Sequence, residues 1–270
     1  MTFLIRSNLW PALTLSALVA FVILAFHGRI EGLGLGVFFI LVWQVFTLDR
    51  LIIHPEDQKK ADADLNIALF VSLHPLPFIA GLIASTVVLI AFCFIKPVLF
   101  TGYLFVILCS VLYIFPLPII KKRLKQIAFL KSFYVPFAVF VSSLLLTETT
   151  PQGNQDLLIC LLIYFLFLLN AALFDIKDVK EDTASGIKTF ASAWGISRLI
   201  RVEFAVSTTL GLALVLFSSA PSLLALGVTF LLYGQATLVL LKTKSVKYLF
   251  GAIDGMNAVP LAVYLLLTAG

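Results

Sequence analysis

Nine separate apolar stretches, each close to the length of a bilayer crossing, leave this chain few folds to choose from. They fall near residues 8–27, 34–53, 76–95, 97–119, 132–147, 155–174, 197–218, 221–241 and 248–269. A hydrocarbon core roughly 30 Å thick takes about 20 residues of helix. The bilayer offers backbone N–H and C=O groups no water, so runs of this length satisfy those groups by winding into helices. With a mean hydropathy of +1.09 and 12% charged residues, the chain stands far from soluble proteins, in which roughly a quarter of residues are charged. The expected architecture is an all-α membrane protein, a nine-transmembrane-helix bundle with a central cavity, forming a single integral membrane domain over residues 1–270. The first stretch reads as a retained helix, because its apolar run is too long for a signal peptide and no A-x-A-like site follows it.

Charge sets the expected orientation. If the spans alternate in direction, seventeen of the nineteen basic residues fall on one side and only Arg29 and Lys96 on the other. Basic residues gather in cytoplasmic loops, so the N-terminus and the longer loops are expected inside. This bias also accounts for the net charge of +5 and the pI near 9.1, with no nucleic-acid partner required. Cys93, Cys109 and Cys160 lie within spans without metal-ligand spacing and read as small packing residues. His54 and His74 show no ligand pattern either, and the sequence calls for no obligate protein partner.

The run Phe174-DIKDVKED-Thr183 closes the sixth span and places Asp175, Asp178 and Asp182 at i, i+3 and i+7. That spacing puts three carboxylates on one helix face at the membrane edge, an arrangement suited to a divalent metal and a phosphate-bearing substrate. The competing reading pairs the acids with their neighbours Lys177, Lys180 and Lys188 in a solvated loop. The second span ends similarly, in Thr47-Leu48-Asp49-Arg50 followed by HPEDQKKADAD, four helices earlier. Two acidic helix ends facing one cavity would hold Mg²⁺ against a diphosphate and neutralise it as a leaving group. Loss of diphosphate from an allylic lipid leaves a carbocation, which aromatic rings in a dry interior stabilise. The basic stretch Lys121 to Lys131 is topogenic or headgroup-binding on general grounds, with Lys125 and Lys131 near one helical face.

These residues resemble the UbiA superfamily of intramembrane prenyltransferases, over nearly the whole chain. FDIKDVKEDTASGIKTFASAWG is similar to the family's D-x-x-D-x-x-x-D-x-x-x-G-x-x-T, with Asp175, Asp178, Asp182, Gly186, Lys188 and Thr189 in matching places. LKQIAFLKSFYVPF is similar to the L-K-R-x-T-x-x-K-N stretch that opens the fifth helix. Lys125 falls on the family's lysine, whereas Gln126 and Ser132 replace its arginine and asparagine. The first motif, N-D-x-x-D-x-x-x-D, departs most: Val45, Phe46 and Ile53 replace its Asn, first Asp and last Asp, leaving Asp49 in register. Glu56 and Asp57 are accessory candidates, reaching the site if the chain bends at His54-Pro55. The R-P-L-x-S-G stretch before the third helix is absent.

The resemblance implies that Asp49, Asp175, Asp178 and Asp182 bind Mg²⁺ and form the catalytic set. Lys125, Lys131 and Lys188 would bind the diphosphate of a polyprenyl substrate. The prenyl group would pass to a lipophilic acceptor, an aromatic one included. Two alternatives stand beside prenyl transfer: a UbiA-type membrane terpene cyclase, in which the cation is captured by its own chain, and a non-catalytic relative that binds lipid diphosphates.

Overall fold

The computed structural model describes residues 7–52, 71, 73–116, 121, 123–176, 178–184, 186–243 and 249–269. Its elements are helical: α1 (Leu9–His27), α2 (Gly32–Leu51), α3 (Pro75–Ile95), α4 (Leu99–Ile114), α5 (Leu130–Leu146), α6 (Asn154–Phe174), α7 (Val179–Ala184), α8 (Phe190–Trp194), α9 (Ile196–Phe217), α10 (Pro221–Thr243), α11 (Leu249–Met256) and α12 (Val259–Thr268). A 3-10 turn, Leu124–Gln126, precedes α5. Among the described residues six helices have the length and apolar composition to cross a membrane, shorter apolar helices lie at Leu99–Ile114 and Leu130–Leu146, and the apolar segment Ile253–Thr268 is divided between α11 and α12.

Proline explains where these helices depart from the apolar runs. The fourth run continues to residue 119, yet α4 stops at Ile114, because Pro116 drives the preceding Phe115 out of helical conformation, to φ −97 and ψ 149. The last run is one apolar stretch but two helices. Asn257 and Ala258 close a turn onto the carbonyls of Asp254 and Gly255 at 3.1 and 3.0 Å, and Pro260 lies in the first turn of α12, where its missing N–H costs nothing. Pro136, by contrast, sits inside α5. Gly28 ends α1 in left-handed conformation at φ 66, its N–H capping the carbonyl of Leu24.

α1 packs against α2, α11 and α12, and its buried Leu18, Val19, Phe21 and Ile23 belong to one core with Phe38 of α2, Ile163 of α6 and Phe230 of α10. α3 is peripheral, and Phe94 near its end is 84% exposed. In water such a face would be a liability; in lipid it is the normal boundary. Lipid supplies little driving force for apolar helices to associate, so small residues and close backbones do that work. The tightest pairing is between α9 and α10. A Cβ at Gly211 would lie 2.8 Å from the carbonyl oxygen of Gly227 and 2.7 Å from Leu231 Cγ.

Charges collect at the two ends of the bundle. At one end Lys96, between α3 and α4, pairs with Glu31 before α2 and Glu148 after α5, while His27 at the end of α1 bonds Thr149 at 3.2 Å. The helices then run back to the opposite end, where α2 delivers Asp49 and α6 delivers Asp175.

The α9–α10 contact gives the first prediction. Gly211→Ala should destabilise the detergent-solubilised protein by about 1–3 kcal/mol through overpacking. Gly36→Ala, with nothing within 4 Å of the added Cβ, should leave the thermal unfolding midpoint unchanged or slightly raised; equal losses in the two variants would contradict the packing.

Candidate active site at the acidic helix ends

The second acidic run keeps winding after α6 ends. The N–H of Asp175 bonds the Ala171 carbonyl at 3.1 Å, that of Asp178 the Asp175 carbonyl at 3.2 Å, and that of Asp182 the Asp178 carbonyl at 2.7 Å. This continuity carries the i, i+3, i+7 spacing from α6 into α7 and keeps the three carboxylates on one side. The chain then reverses at Gly186, whose φ of +70 is strained for any side chain though the space beside it is open. Thr189 caps α8: its hydroxyl accepts from the Ser192 N–H, and Ser192 Oγ accepts from the Thr189 N–H at 2.9 Å. The glycine and threonine of the motif therefore serve to turn the chain and restart a helix. One further bond joins this segment to the basic one, since the Phe129 N–H donates to the Lys188 carbonyl at 2.6 Å.

That stitch brings the start of α5 against the acids. Lys131 Nζ lies 3.1 Å from Asp175 Oδ1, 3.4 Å from Asp178 Oδ2 and 3.3 Å from Asp182 Oδ2. Ser132, the next residue, donates from Oγ to Asp175 Oδ2 at 2.6 Å. Asp175 and Asp182 are buried. Burial, reinforced by Asp178 and Asp175 and opposed by Lys131, pushes the Asp182 carboxyl up to about 6. The three aspartates thus share a long-range partner, Lys131, which the reading of local pairs with Lys177, Lys180 and Lys188 does not contain.

Among the described residues no group of three or more His, Cys, Asp or Glu side chains stands arranged around a metal position. The geometry gives the reason: the three carboxylates close on an ammonium. Their chemistry still suits Mg²⁺, which prefers hard oxygen donors, and three oxygens from three separate carboxylates already converge on one point. The donor chemistry of the three carboxylates fits such an ion, while their arrangement here encloses the Lys131 ammonium.

The other expected residues are distributed as follows. Asp49, in the last turn of α2, is half-buried, and α2 packs against α4 and α5. Tyr113, near the end of α4, lies within electrostatic reach of Asp49, Asp175, Asp178 and Lys131, so the first acidic helix end and the second cluster border one region. Lys125 belongs to the 3-10 turn. Lys188 is exposed and joins the site through its carbonyl. Glu56 and Asp57 lie outside the described residues. Asp254 is buried beside the break in the last span, where Asn257 Oδ1 accepts from Asn170 Nδ2 of α6 at 3.1 Å.

Two residues were not singled out from the sequence. Arg123 is buried and within electrostatic reach of Asp49; its backbone N–H donates to Gln126 Oε1 at 3.0 Å. The glutamine that replaces the family's arginine therefore holds the turn carrying another arginine. Glu203 of α9 is 2% exposed and faces Tyr233 of α10. An acid within an apolar span was the available signal, masked by its position near the basic start of that helix.

A cavity of about 310 Å³ lies between α2, α3 and α4, bounded by Leu41, Val45, Leu48, Ile52, Val106 and Ile107, with Gln44, Thr86, Tyr103 and Ser110 as its polar members. Leu48 and Ile52 flank Asp49 on α2, so this cavity begins beside the acidic helix end. A larger groove of about 650 Å³ lies between Leu161–Phe165 of α6 and Ala205–Leu210 of α9. It is almost wholly apolar and lies midway along both helices, away from the aspartates at the helix end.

No family model matches the sequence, and no curated protein matches it. Among solved structures, a UbiA homologue from Archaeoglobus fulgidus is similar over 100% of both chains, with a TM-score of 0.58 and 15% sequence identity. Six apolar helices of spanning length and this full-length likeness agree: the chain is an integral membrane protein with the UbiA fold.

Proposed function

We propose that this chain belongs to the UbiA superfamily and is an Mg²⁺-dependent intramembrane prenyltransferase, moving the isoprenoid group of a polyprenyl diphosphate to a lipophilic acceptor. The observation that carries the reading is the convergence of Asp175, Asp178 and Asp182 on one point, at the helix end where α2 also delivers Asp49. A shielded cluster of carboxylates at a membrane edge is costly unless a cation offsets it, a part that Lys131 plays here and that Mg²⁺ would take with substrate, and the UbiA fold is compatible with this assignment. In this reading the acidic motifs and the N-terminus face the cytoplasm, following the basic bias of the loops.

Asp175, Asp178, Asp182 and Asp49 would hold Mg²⁺, which when bound supplies charge neutralisation on the diphosphate oxygens. Ser132 holds one oxygen of Asp175 by its hydroxyl, fixing how that carboxylate presents the other. Lys125, Lys188 and Arg123 supply positive charge for the diphosphate. The apolar cavity between α2, α3 and α4 receives isoprenoid chain, and the surrounding helices keep water from the allylic centre. The allylic C–O bond breaks with its electron pair leaving on pyrophosphate; a nucleophilic atom of the acceptor forms the new bond to carbon and releases a proton.

Two expectations test this. Purified protein supplied with Mg²⁺, a labelled prenyl diphosphate and membrane lipid extract should release pyrophosphate and form a prenylated lipid. Asp178→Asn should reduce turnover about a hundredfold or more, the scale of several kcal/mol of lost transition-state stabilisation; full turnover in that variant would remove the metal assignment. A cyclic product from the diphosphate alone would instead identify a cyclase. Ser132→Ala, which leaves all four aspartates in place, should lower kcat/KM by about tenfold, the usual effect of losing a residue that orients a metal ligand.

A further inference from the structure

A lysine standing where a divalent ion would bind is the feature that the functional reading leaves unused. Lys131 Nζ is 3.1–3.4 Å from one oxygen of each of three carboxylates. Its side chain is only 16% exposed, so solvent does little to weaken the interaction. A divalent ion bound to the same oxygens, at about 2.0–2.1 Å for Mg²⁺, would draw them inward and fall within contact distance of the space the ammonium fills. Two cations cannot share it, because at contact distance in a poorly solvated site their repulsion is large. Metal and ammonium are therefore alternatives.

We propose that Lys131 is a tethered competitor of the metal: it closes the acidic cluster when no substrate is present and is displaced as metal and diphosphate enter together. The proposal rests on the reading of Asp175, Asp178 and Asp182 as metal ligands and adds the order in which that site fills. Charge accounting favours the exchange only when an anion arrives. Three ionised aspartates and the ammonium carry a net charge of −2; a bare Mg²⁺ taking the lysine's place leaves a buried ammonium without a partner, which is costly. A diphosphate supplies that partner. Lys131 is the second residue of α5, and its flexible four-carbon stem lets the ammonium move without moving the helix. Free metal is thus excluded, and metal–diphosphate is admitted.

The test is metal binding, with no turnover required. Mn²⁺ binding to the purified, metal-free full-length protein is measured by electron paramagnetic resonance, with and without inorganic pyrophosphate at matched free Mn²⁺. Wild type should bind Mn²⁺ weakly alone, Lys131→Gln at least tenfold more tightly, and Lys131→Arg as weakly as wild type. Pyrophosphate should tighten Mn²⁺ binding in wild type more than in Lys131→Gln. Equal Mn²⁺ affinity in wild type and Lys131→Gln would overturn the proposal. A second measurement needs no variant: in wild type at matched free Mn²⁺, adding inorganic pyrophosphate should raise Mn²⁺ affinity at least tenfold, and an unchanged affinity would also overturn the proposal. A protein that shows the competition but transfers no prenyl group would refute the enzymatic reading and leave the competition standing; Mg²⁺-dependent transfer without any gain in Lys131→Gln would do the reverse.

Discussion

Charge has only two places to go in this molecule, and the arrangement of the helices follows from that. Hydrocarbon cannot solvate a carboxylate or an ammonium, so ionic groups are driven to the ends of the spans, and successive helices alternate which end they supply. At one end Lys96 gathers Glu31 and Glu148 from separate connections. At the other, Lys131 gathers Asp175, Asp178 and Asp182 from the segment that leaves α6. The first cluster is half-open to solvent, and such pairs contribute little to stability. The second is largely shielded, so its members depend on one another far more.

The shielded cluster explains why the backbone around it is built so specifically. Bringing α5 against α7 requires the chain to reverse after Asp182, which a left-handed Gly186 accomplishes, and to restart at once, which the Thr189–Ser192 cap accomplishes. The Phe129–Lys188 backbone bond then holds the two segments together. Each device is local and cheap. Together they place a lysine from one part of the sequence on three acids more than forty residues away, as the sequence separations of 47 and 51 for Asp178 and Asp182 show.

Much of this was legible in the sequence, and the limits have physical causes. Apolar runs located the spans, because a bilayer imposes both length and helicity. They overshot at α4, where a proline overrides hydropathy, and they merged α11 with α12, since the break at Asn257 needs only two residues. The face shared by Asp175, Asp178 and Asp182 was readable from helical periodicity alone. Their partner was not: local spacing offers Lys177, Lys180 and Lys188, whereas the Lys131 contact is tertiary and leaves no periodic trace. Arg123 was hidden for a similar reason, since its relation to Asp49 depends on how α2 packs against the turn before α5.

The close approach of α9 and α10 has a mechanical meaning. Where the backbones of Gly211 and Gly227 meet without intervening side chains, two helices cannot slide or splay independently; they behave as one stiff beam. α10 packs on α6 and more extensively on α12, and the long apolar groove runs along the α6–α9 seam. In a bilayer that groove turns an apolar wall toward the surrounding hydrocarbon, which needs no polar group to line it.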